Sequence, residues 1–562
     1  MAPDTSALPL HLIVASGNVS AKDAHGLMVQ PLFNAGLFQE SITHWEMVSD
    51  KTSASEDVHQ FVSLRLQRIA LMPLVFDSEH AIISARGVFE ASVRDTFSQA
   101  LAQKLDLAAS SLPAATLPLC YHGGNDLALI RLVSRTFAAL SDLEQALAPP
   151  PEFGLLSPEP LQARATVEGS RLQLPEVRVT VVSAHLRWHS VCRALCPTIE
   201  ELASLDGVRV AVAFAPSSRI DDTARRVATS SSEVVYLSPD LSEARAQLHA
   251  TRPHVLMFTD VGMNSWTTSM AHTRLAPVQL ALWGHHGSSG LPSIDFYVVA
   301  DTFERARAHA KHSEQLLRLQ TGLGVFLREE DFKPKAEESE ERRDRISRFD
   351  LGVVENATLY LCAQSLPKFH PRFDYAMERI LDGDPAGVIV IPVDRQGQSG
   401  WLSTLKRRLL RTLGLAKRCR VVFCDLLSER SMFDLLEMAD VSIDTFPVGG
   451  GITSLESLGN GVPTVTCGAC QSVIRTTSAA LSSMGISNLT AGNPGEFATL
   501  AIRTANDAHF NSEMRRLLAQ RSQLIFGRRD TIQEWERLLW RLARMVTAAH
   551  ANGIGNYYPR ER

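Results

Sequence analysis

The fold is decided by the stretch Asp440-Val-Ser-Ile-Asp-Thr-Phe-Pro-Val-Gly-Gly-Gly-Ile-Thr-Ser-Leu-Glu-Ser-Leu-Gly-Asn-Gly-Val-Pro-Thr-Val-Thr466. Its apolar start and three consecutive glycines predict a strand, a loop, a short helix and a second strand. The predicted positions are 441–446 for the strand, 449–451 for the loop, from near Thr453 to 459–461 for the helix, and 464–466 for the second strand. This order is typical of an α/β domain with a parallel sheet.

The start of the predicted helix is a candidate anion site. Unpaired backbone amides at a helix N-terminus favour a phosphate, and glycines allow the phosphate to come close. Glu456 lies about one turn into the helix, where a carboxylate can hold a ribose hydroxyl. The loop therefore predicts half of a nucleotide-sugar site. The alternative is a capping box, in which Thr453 and Glu456 only satisfy their own helix end.

The composition indicates a globular protein of several domains, because 562 residues are too many for one core. The 45% of hydrophobic and 21% of charged residues are ordinary for a folded protein. A net charge of −5 gives no general attraction to nucleic acid or to an anionic membrane. No apolar run approaches the roughly 20 residues of a membrane helix, and the apolar patch at 8–15 lacks a basic segment before it. We therefore expect no membrane span, no signal peptide and a cytoplasmic location.

The cysteines favour a reducing compartment. Eight cysteines in a chain of this length do not make a disulfide framework. Cys467 and Cys470 form a CxxC pattern, but no second pair stands at zinc-site spacing, and a structural zinc needs about four ligands. Cys192 and Cys196 lack partners in the same way. We expect no metal site and interpret Cys467 and Cys470 as small residues after a strand.

The chain divides into five predicted segments. Residues 1–175 are expected to form a mainly helical domain without a tetratricopeptide array. Residues 176–330 and 349–528 each alternate strands with helices, which predicts an α/β fold of two Rossmann-like, doubly wound domains facing a cleft. A charged, solvated linker is predicted at 331–348, and a C-terminal helix that packs back on the core at 529–562.

Two histidines follow the first strand of the first α/β domain. They lie in the loop Ser183-Ala-His-Leu-Arg-Trp-His-Ser190, at the strand end where open α/β sheets place catalytic side chains. His189 is the preferred candidate, because an imidazole with a pKa near neutral can take a proton or donate to a phosphate. His185 competes for the role, and a buried histidine bonded to backbone is the alternative.

Two further segments carry candidate chemistry. Residues 264–290 hold Arg274-Leu-Ala-Pro-Val-Gln279 and Trp283-Gly-His-His-Gly-Ser-Ser-Gly290, which suit a sugar, an oxyanion or simply a tight turn. The other segment, Cys362-Ala-Gln-Ser-Leu-Pro-Lys368, follows a strand. Its lysine can neutralise a leaving diphosphate and its glutamine can bind a phosphate or a nucleotide edge. An ordinary surface lysine is the alternative.

In combination these segments resemble the protein O-GlcNAc transferase family, glycosyltransferases of the GT-B fold. The resemblance also includes Tyr121-His-Gly-Gly-Asn-Asp126 and the block from Asp444-Thr-Phe-Pro447 through Glu456 to Gly461-Val-Pro463, and it covers about residues 115–545. Gly262-Met-Asn264 and the lack of repeats are similar to the bacterial branch that glucosylates asparagine.

The resemblance implies an inverting transfer, without a metal or other cofactor, from a UDP-sugar to a polypeptide side chain. It assigns His189 and Lys368 to catalysis, with Asp260 as a second candidate base, and Glu456 to the ribose. The remaining positions that it assigns to the donor are Gln364, Lys368, Gly450, Gly451, Ile452, Thr453, Ser454, Met432, Arg475, His285 and Gly287.

The chain departs from the family pattern near the donor sugar. Gly451 stands where the animal enzyme has a histidine, Ile452 where it has a threonine, and Met432 near its uracil-side histidine; His286 replaces a proline. We expect N-acetylglucosamine transfer from UDP-GlcNAc to serine or threonine. The alternatives are an asparagine glucosyltransferase that uses UDP-glucose, a GDP-fucose enzyme as in plant relatives, a non-catalytic UDP-sugar-binding scaffold, and an epimerase of free UDP-GlcNAc.

Overall fold

A computed structural model describes residues 72–103, 116–140, 175–284, 287–305, 308–334, 345–393, 399–425, 429–472 and 475–551. Three helices come first: α1 (Glu79–Gln103), α2 (Leu117–Cys120) and α3 (Leu127–Leu140). α1 and α3 pack together around a small apolar cluster that includes Phe89, Val133 and Phe137. The N-terminal region is therefore helical where it is described, and the rest of residues 1–175 lies outside the described part.

The first α/β domain has a seven-stranded parallel sheet in the order β3-β2-β1-β4-β5-β6-β7. Its strands are buried on both faces in the middle of the sheet, which explains their nearly continuous apolar sequences. The elements are β1 (Val177–Ser183), α4 (Ser190–Ala203), β2 (Val208–Phe214), α5 (Asp222–Ser230), β3 (Glu233–Tyr236), α6 (Leu241–Ala250), β4 (Val255–Phe258), α7 (Ser265–Ala271), β5 (Val278–Leu282), β6 (Phe296–Ala300) and β7 (Gln315–Leu319).

The second α/β domain has a five-stranded parallel sheet in the order β10-β9-β8-β11-β12. Its elements are β8 (Thr358–Leu361), α8 (Pro371–Gly383), β9 (Gly387–Val393), α9 (Ser399–Arg418), β10 (Val421–Asp425), α10 (Glu429–Met438), β11 (Val441–Ile443), α11 (Ile452–Gly459), β12 (Thr464–Val465), α12 (Thr476–Ser483), α13 (Pro494–Asn506) and α14 (Ala508–Arg521). The predicted architecture of two Rossmann-like domains is thus confirmed.

The strand order explains where the predicted site residues meet. In each sheet the order reverses beside the first strand, between β1 and β4 in one domain and between β8 and β11 in the other. Such a switch point opens a crevice at the carboxyl ends of the strands. The loops after β1 and β4 carry His189 and Asp260, and the loops after β8 and β11 carry Lys368 and the three glycines.

The last helix, α15 (Arg529–Ala551), crosses back to the first domain and packs on α4, β1 and β4. Trp535 is buried and donates its indole N–H to the Gly324 carbonyl at 2.9 Å. The Glu534 carboxylate accepts the backbone N–H groups of Gln320 and Thr321 at 2.8 and 2.9 Å. The C-terminal segment therefore joins the two halves of the molecule.

The N-terminal region is anchored on the second domain. Arg408 is fully buried, forms a bidentate ion pair with Asp374 and donates to the Phe76 carbonyl at 2.7 Å. Gly123 has φ +72°, and a Cβ there would lie 2.6 Å from the Pro447 side chain. The helices before the first sheet therefore lie directly against the chain that leads into the glycine loop.

Some elements differ from the sequence expectation. β11 ends at Ile443, three residues before the predicted end of the strand, because the Asp444 carboxylate there bonds the loop that follows. The helix after the histidine loop begins at Ser190 and includes Pro197. β7 was not predicted at all.

The segment predicted as a solvated linker, 331–348, is described only at its two ends, which differ: Phe332 packs inside the protein, whereas Arg345 is exposed. Phe332 is fully buried, and Arg345 forms an ion pair with Asp434 at 3.1 Å. The intervening residues 335–344 lie outside the described part.

Candidate active site

Lys368 and Gln364 form a short chain of hydrogen bonds that ends on helix α11. The Lys368 ammonium donates to the Gln364 side-chain oxygen at 2.9 Å, and the Gln364 amide donates to the Thr453 hydroxyl at 3.0 Å. Burial lowers the pKa of Lys368, while the negative charge of Asp444 opposes this shift. Among the described residues Lys368 forms no ion pair, so its charge is available to an anion.

Helix α11 begins without a side-chain cap. Its N-cap residue is Gly451, and Ile452, Thr453 and Ser454 form its first turn. Thr453 therefore lies inside the helix, so the capping-box alternative does not hold. The amides of this first turn lie beside the Lys368–Gln364–Thr453 chain, which places a cation and a helix N-terminus around one point.

The three glycines of the loop differ in what a side chain would contact at each position. A Cβ on Gly450 would lie 1.9 Å from the Ser454 hydroxyl and 2.5 Å from the Gln364 amide nitrogen. A Cβ on Gly449 would lie 2.0 Å from the Gln471 amide nitrogen. A Cβ on Gly451 would meet nothing within 4 Å. The first two glycines permit close packing of the site's own side chains, and only Gly451 faces open space.

Asp444 holds the loop in this shape, a role that the sequence did not reveal. Its fully buried carboxylate accepts the Gly450 N–H at 2.5 Å, the Thr466 hydroxyl at 2.8 Å and the Gln471 amide at 2.9 Å. An aspartate directly after a strand and six residues before a glycine was the available signal. Because its partners come from both sides of α11, Asp444 acts as the internal anchor of the glycine loop.

Glu456 is buried and bonded across the domain boundary. The Arg193 guanidinium of α4 donates to the Glu456 carboxylate at 2.5 Å and to the Asp331 carbonyl at 2.8 Å. The same guanidinium lies over the rings of Trp188 and Phe332, at 4.8 and 5.3 Å from their centroids. Sequence reasoning missed Arg193, because nothing local marks a partner 263 residues away.

His189 caps helix α4. Its Nδ1 accepts the Val191 N–H at 3.2 Å, so Nδ1 carries no proton and the neutral ring is protonated at Nε2. Burial, followed by the nearby His185 and Arg187, lowers the pKa of His189 to about 4. His185 stacks on it with ring centroids 4.3 Å apart. A neutral His189 in this position donates a hydrogen bond rather than accepting a proton.

Asp260 lies beneath the histidines instead of facing the cleft. It is fully buried and accepts the Ala184 N–H at 2.8 Å and the Ser183 hydroxyl at 3.3 Å. Burial raises the pKa of Asp260 to about 6, and the His185 Nε2 lies 3.9 Å from its carboxylate. In this arrangement Asp260 shapes the loop that carries His185 and His189.

The segment 264–290 is largely a structural framework. Glu314 binds the Ser288 hydroxyl at 2.7 Å and the Ser289 N–H at 2.6 Å, so these groups are engaged internally. Arg274 pairs with Asp295 at 2.5 Å. His285 lies outside the described residues, and Gly287 lines a small enclosed cavity beside Asp126.

Arg475 and Met432 are not part of the Lys368 cluster. Arg475 precedes α12, donates to the Phe303 carbonyl at 3.4 Å and lines a separate groove. Met432, on α10, is partly buried against the apolar cluster around Leu359 and Leu435. No described contact joins either residue to Lys368 or Glu456.

The cysteine expectation is wrong in one respect. Cys192 pairs with Cys196 within α4, and Cys467 pairs with Cys470 after β12, each as a disulfide. The pairs are four and three residues apart, so local geometry alone brings them together. Among the described residues there is no group of three or more His, Cys, Asp and Glu side chains suited to a metal ion.

Comparison with known proteins confirms the predicted resemblance. Residues 318–530 match the model of glycosyl transferase family 41. The chain is 27% identical over 276 residues to the probable UDP-N-acetylglucosamine–peptide N-acetylglucosaminyltransferase SPINDLY of Solanum lycopersicum. It is 27% identical over 281 residues to that of Petunia hybrida. Each alignment covers 48% of this chain and 28% of the relative, so the chain spans under a third of their length.

A solved structure supports the fold over nearly the whole chain. A mutant of the O-GlcNAc transferase of Thermobaculum terrenum superimposes with a TM-score of 0.68 and 18% identity, covering 95% of this chain and 92% of that one. The GT-B fold is therefore shown. In the described part of the chain, no helix is both long and apolar enough to cross a membrane.

Proposed function

We propose that this protein transfers N-acetylglucosamine from UDP-GlcNAc to serine or threonine side chains of polypeptides, with inversion and without a metal. The observation that carries the proposal is the uncapped start of α11 beside Lys368, a lysine with no ion pair among the described residues. A cation and a helix N-terminus that converge on one point suit a diphosphate.

The leaving group receives its stabilisation from these same groups. When the bond between the sugar's anomeric carbon and the diphosphate oxygen breaks, negative charge grows on the departing UDP. We assign Lys368 and the amides of Ile452, Thr453 and Ser454 to this charge; the fold fixes their positions, so little reorganisation is needed. In this proposal they supply the electrostatic stabilisation that a divalent cation provides in other transferases.

The ribose end of the donor is assigned to Glu456. Arg193 occupies one oxygen of this carboxylate and approaches it from the first domain. The other oxygen is left for a ribose hydroxyl. Donor binding is then sensitive to how the two domains meet, because the residue that orients Glu456 does not belong to the donor domain.

His189 is assigned to the acceptor side as a hydrogen-bond donor. Its Nδ1 is committed to the Val191 N–H, and its low pKa keeps the ring neutral at physiological pH. The Nε2–H group can donate a hydrogen bond to an oxygen of the acceptor and hold it in place. General-base catalysis by this ring would require the cap to break first.

The proposal is tested with a panel of UDP-GlcNAc, UDP-glucose and GDP-fucose, using hydrolysis and transfer to peptide and protein acceptors read by mass spectrometry. We expect GlcNAc on serine or threonine and activity that survives EDTA. Glucose on asparagine would favour the asparagine-glucosylating alternative. Binding of UDP without turnover of any donor would favour a scaffold, and activity abolished by EDTA and restored by Mn²⁺ would contradict metal independence.

A further inference from the structure

A second groove lies between the two domains, close to the proposed donor site. The groove has a volume of about 630 Å³ and is lined by Thr302 and Arg305 of the first domain and by nine residues between Gly468 and Gly492 of the second. This volume is typical of ligand sites, which range over roughly 300–1,000 Å³. We call it the basic groove, because the described residues that line it include Arg305 and Arg475 and no carboxylate.

The two arginines are held by backbone carbonyls and not by carboxylates. Arg305 donates to the Gly468 and Ala469 carbonyls at 3.1 and 2.9 Å, and Arg475 donates through Nε to the Phe303 carbonyl. Neither forms an ion pair with a described residue. Burial lowers the pKa of Arg475, the charge of Arg305 lowers it further, and the nearby Glu304 carboxylate only partly opposes these shifts, so the two guanidiniums repel each other. An anion between them would remove this repulsion.

The groove is connected to the glycine loop through one hydrogen-bonded segment. Gly468 and Ala469 form part of its wall, and Gln471, a few residues on, donates to the Asp444 carboxylate that also holds the Gly450 N–H. One short segment therefore both lines the groove and holds the anchor of the proposed donor site.

The lining suits an extended polypeptide. Gly468 and Gly492 have no side chain and Ala469 and Ala491 have only a methyl group, which allows a backbone to come close. Hydroxyls for its polar groups come from Ser482, Ser487 and Thr490. We propose that the basic groove binds an acidic segment of the acceptor polypeptide, with an Asp or Glu carboxylate between Arg305 and Arg475. This inference rests on the proposed transfer to polypeptides and adds the charge preference of the acceptor.

The test uses two fluorescent peptides that differ only in charge, a serine flanked by glutamates and the same peptide with glutamines, measured by fluorescence anisotropy. The glutamate peptide should bind about five- to tenfold more tightly, and the difference should shrink as ionic strength rises. Arg305→Gln should remove most of the preference. Arg516→Gln is the matched control, because Arg516 is an exposed arginine that bonds Gln520 outside the groove.

A second variant changes only an exposed side chain, so it leaves the buried core intact. Ser487→Glu places a carboxylate at an exposed position of the groove wall, so it should abolish the preference without burying a charge. Equal binding of both peptides to the wild type, or an unchanged preference in Arg305→Gln and Ser487→Glu, would overturn the proposal. So would displacement by inorganic phosphate with no preference between peptides, which would identify a simple phosphate site. UDP affinity, measured in parallel, reports separately on the proposed donor site.

Discussion

The two loops that follow β1 and β11 occupy similar places in their sheets but end differently. Each leads from a central parallel strand to the N-terminus of a helix. In the first domain His189 caps α4 with its own Nδ1, so the helix end is satisfied by protein. In the second domain Gly451 gives α11 no side-chain cap. The topology places the N-termini of both helices at the cleft. The N-cap residue, His189 in α4 and Gly451 in α11, determines whether a side chain caps the backbone amides there.

The two ends also differ in charge. Beside α11 lies Lys368 without an ion pair among the described residues, whereas beside α4 lie two neutral histidines over a buried aspartate. The first end therefore suits a diphosphate, and the second suits a neutral hydroxyl or amide. The proposed function accordingly puts the donor on the second domain and the acceptor on the first.

The largest expected effect comes from removing the Lys368 cation beside the uncapped N-terminus of α11, which we call the open helix end; the N-terminus of α4, capped by His189, is the closed helix end. Lys368→Met should lower transfer by at least about 100-fold and weaken UDP binding by about tenfold or more. Thermal stability should not fall, because burial already disfavours the charged lysine. Calorimetry with UDP and thermal unfolding measure the two effects.

Lys333→Met is the matched control for Lys368, since Lys333 is exposed and pairs with Glu329. Unchanged UDP affinity in Lys368→Met would show that the lysine is not at the diphosphate.

The next substitutions separate the capping of α4 by His189 from the proposed role of His189 in transfer. Asparagine is also a good N-cap, so His189→Asn should keep the free energy of unfolding within about 0.5 kcal/mol and still lower transfer about 100-fold. His189→Ala should additionally lose about 1 kcal/mol of stability. Both variants should bind UDP as the wild type does.

The pH dependence gives an independent check on His189. The folded pKa values of His185 and His189, about 4, lie below the ordinary value of about 6.5. Their contribution to stability is therefore present above pH 6.5 or so and is lost as pH falls towards about 4. The pH profile of the transfer rate should therefore show no pKa near 7 that arises from His189. A kcat/KM profile with such a pKa, absent from His189→Asn, would identify the ring as a general base.

Sequence reasoning placed the candidate residues at the carboxyl ends of strands, but it did not predict the contacts that these residues make. Lys368, Gln364 and Thr453 follow strands of one parallel sheet, so their convergence was predictable from topology. The low pKa of His189 and the Arg193–Glu456 pair were not, because both depend on burial by residues distant in the chain. Likewise, Ser288 and Ser289 matched a sugar-binding pattern, yet Glu314, 25 or 26 residues away, engages them.

A smaller effect tests why glycine is present at positions 450 and 451. Gly450→Ala would force its Cβ against Ser454 and Gln364, so UDP affinity should fall about tenfold, in line with the 1–3 kcal/mol or so that overpacking costs. Gly451→Ala meets no neighbour and should change UDP affinity less than about twofold. Equal losses in the two variants, measured by calorimetry, would mean that flexibility and not packing explains the glycines.

The smallest effect tests whether the two helix ends act as one site. Arg193, one turn into α4, orients Glu456 of α11, so Arg193→Gln should raise the donor KM about fivefold with little change in kcat. If Arg193 acts through the carboxylate, its substitution should have no further effect on UDP affinity once Glu456→Gln is present. Arg94→Gln, which breaks an exposed ion pair with Glu90 on α1, controls for a general loss of stability. Additive losses in the double variant would show that Arg193 only joins the domains, and the closed end would then contribute nothing to donor recognition.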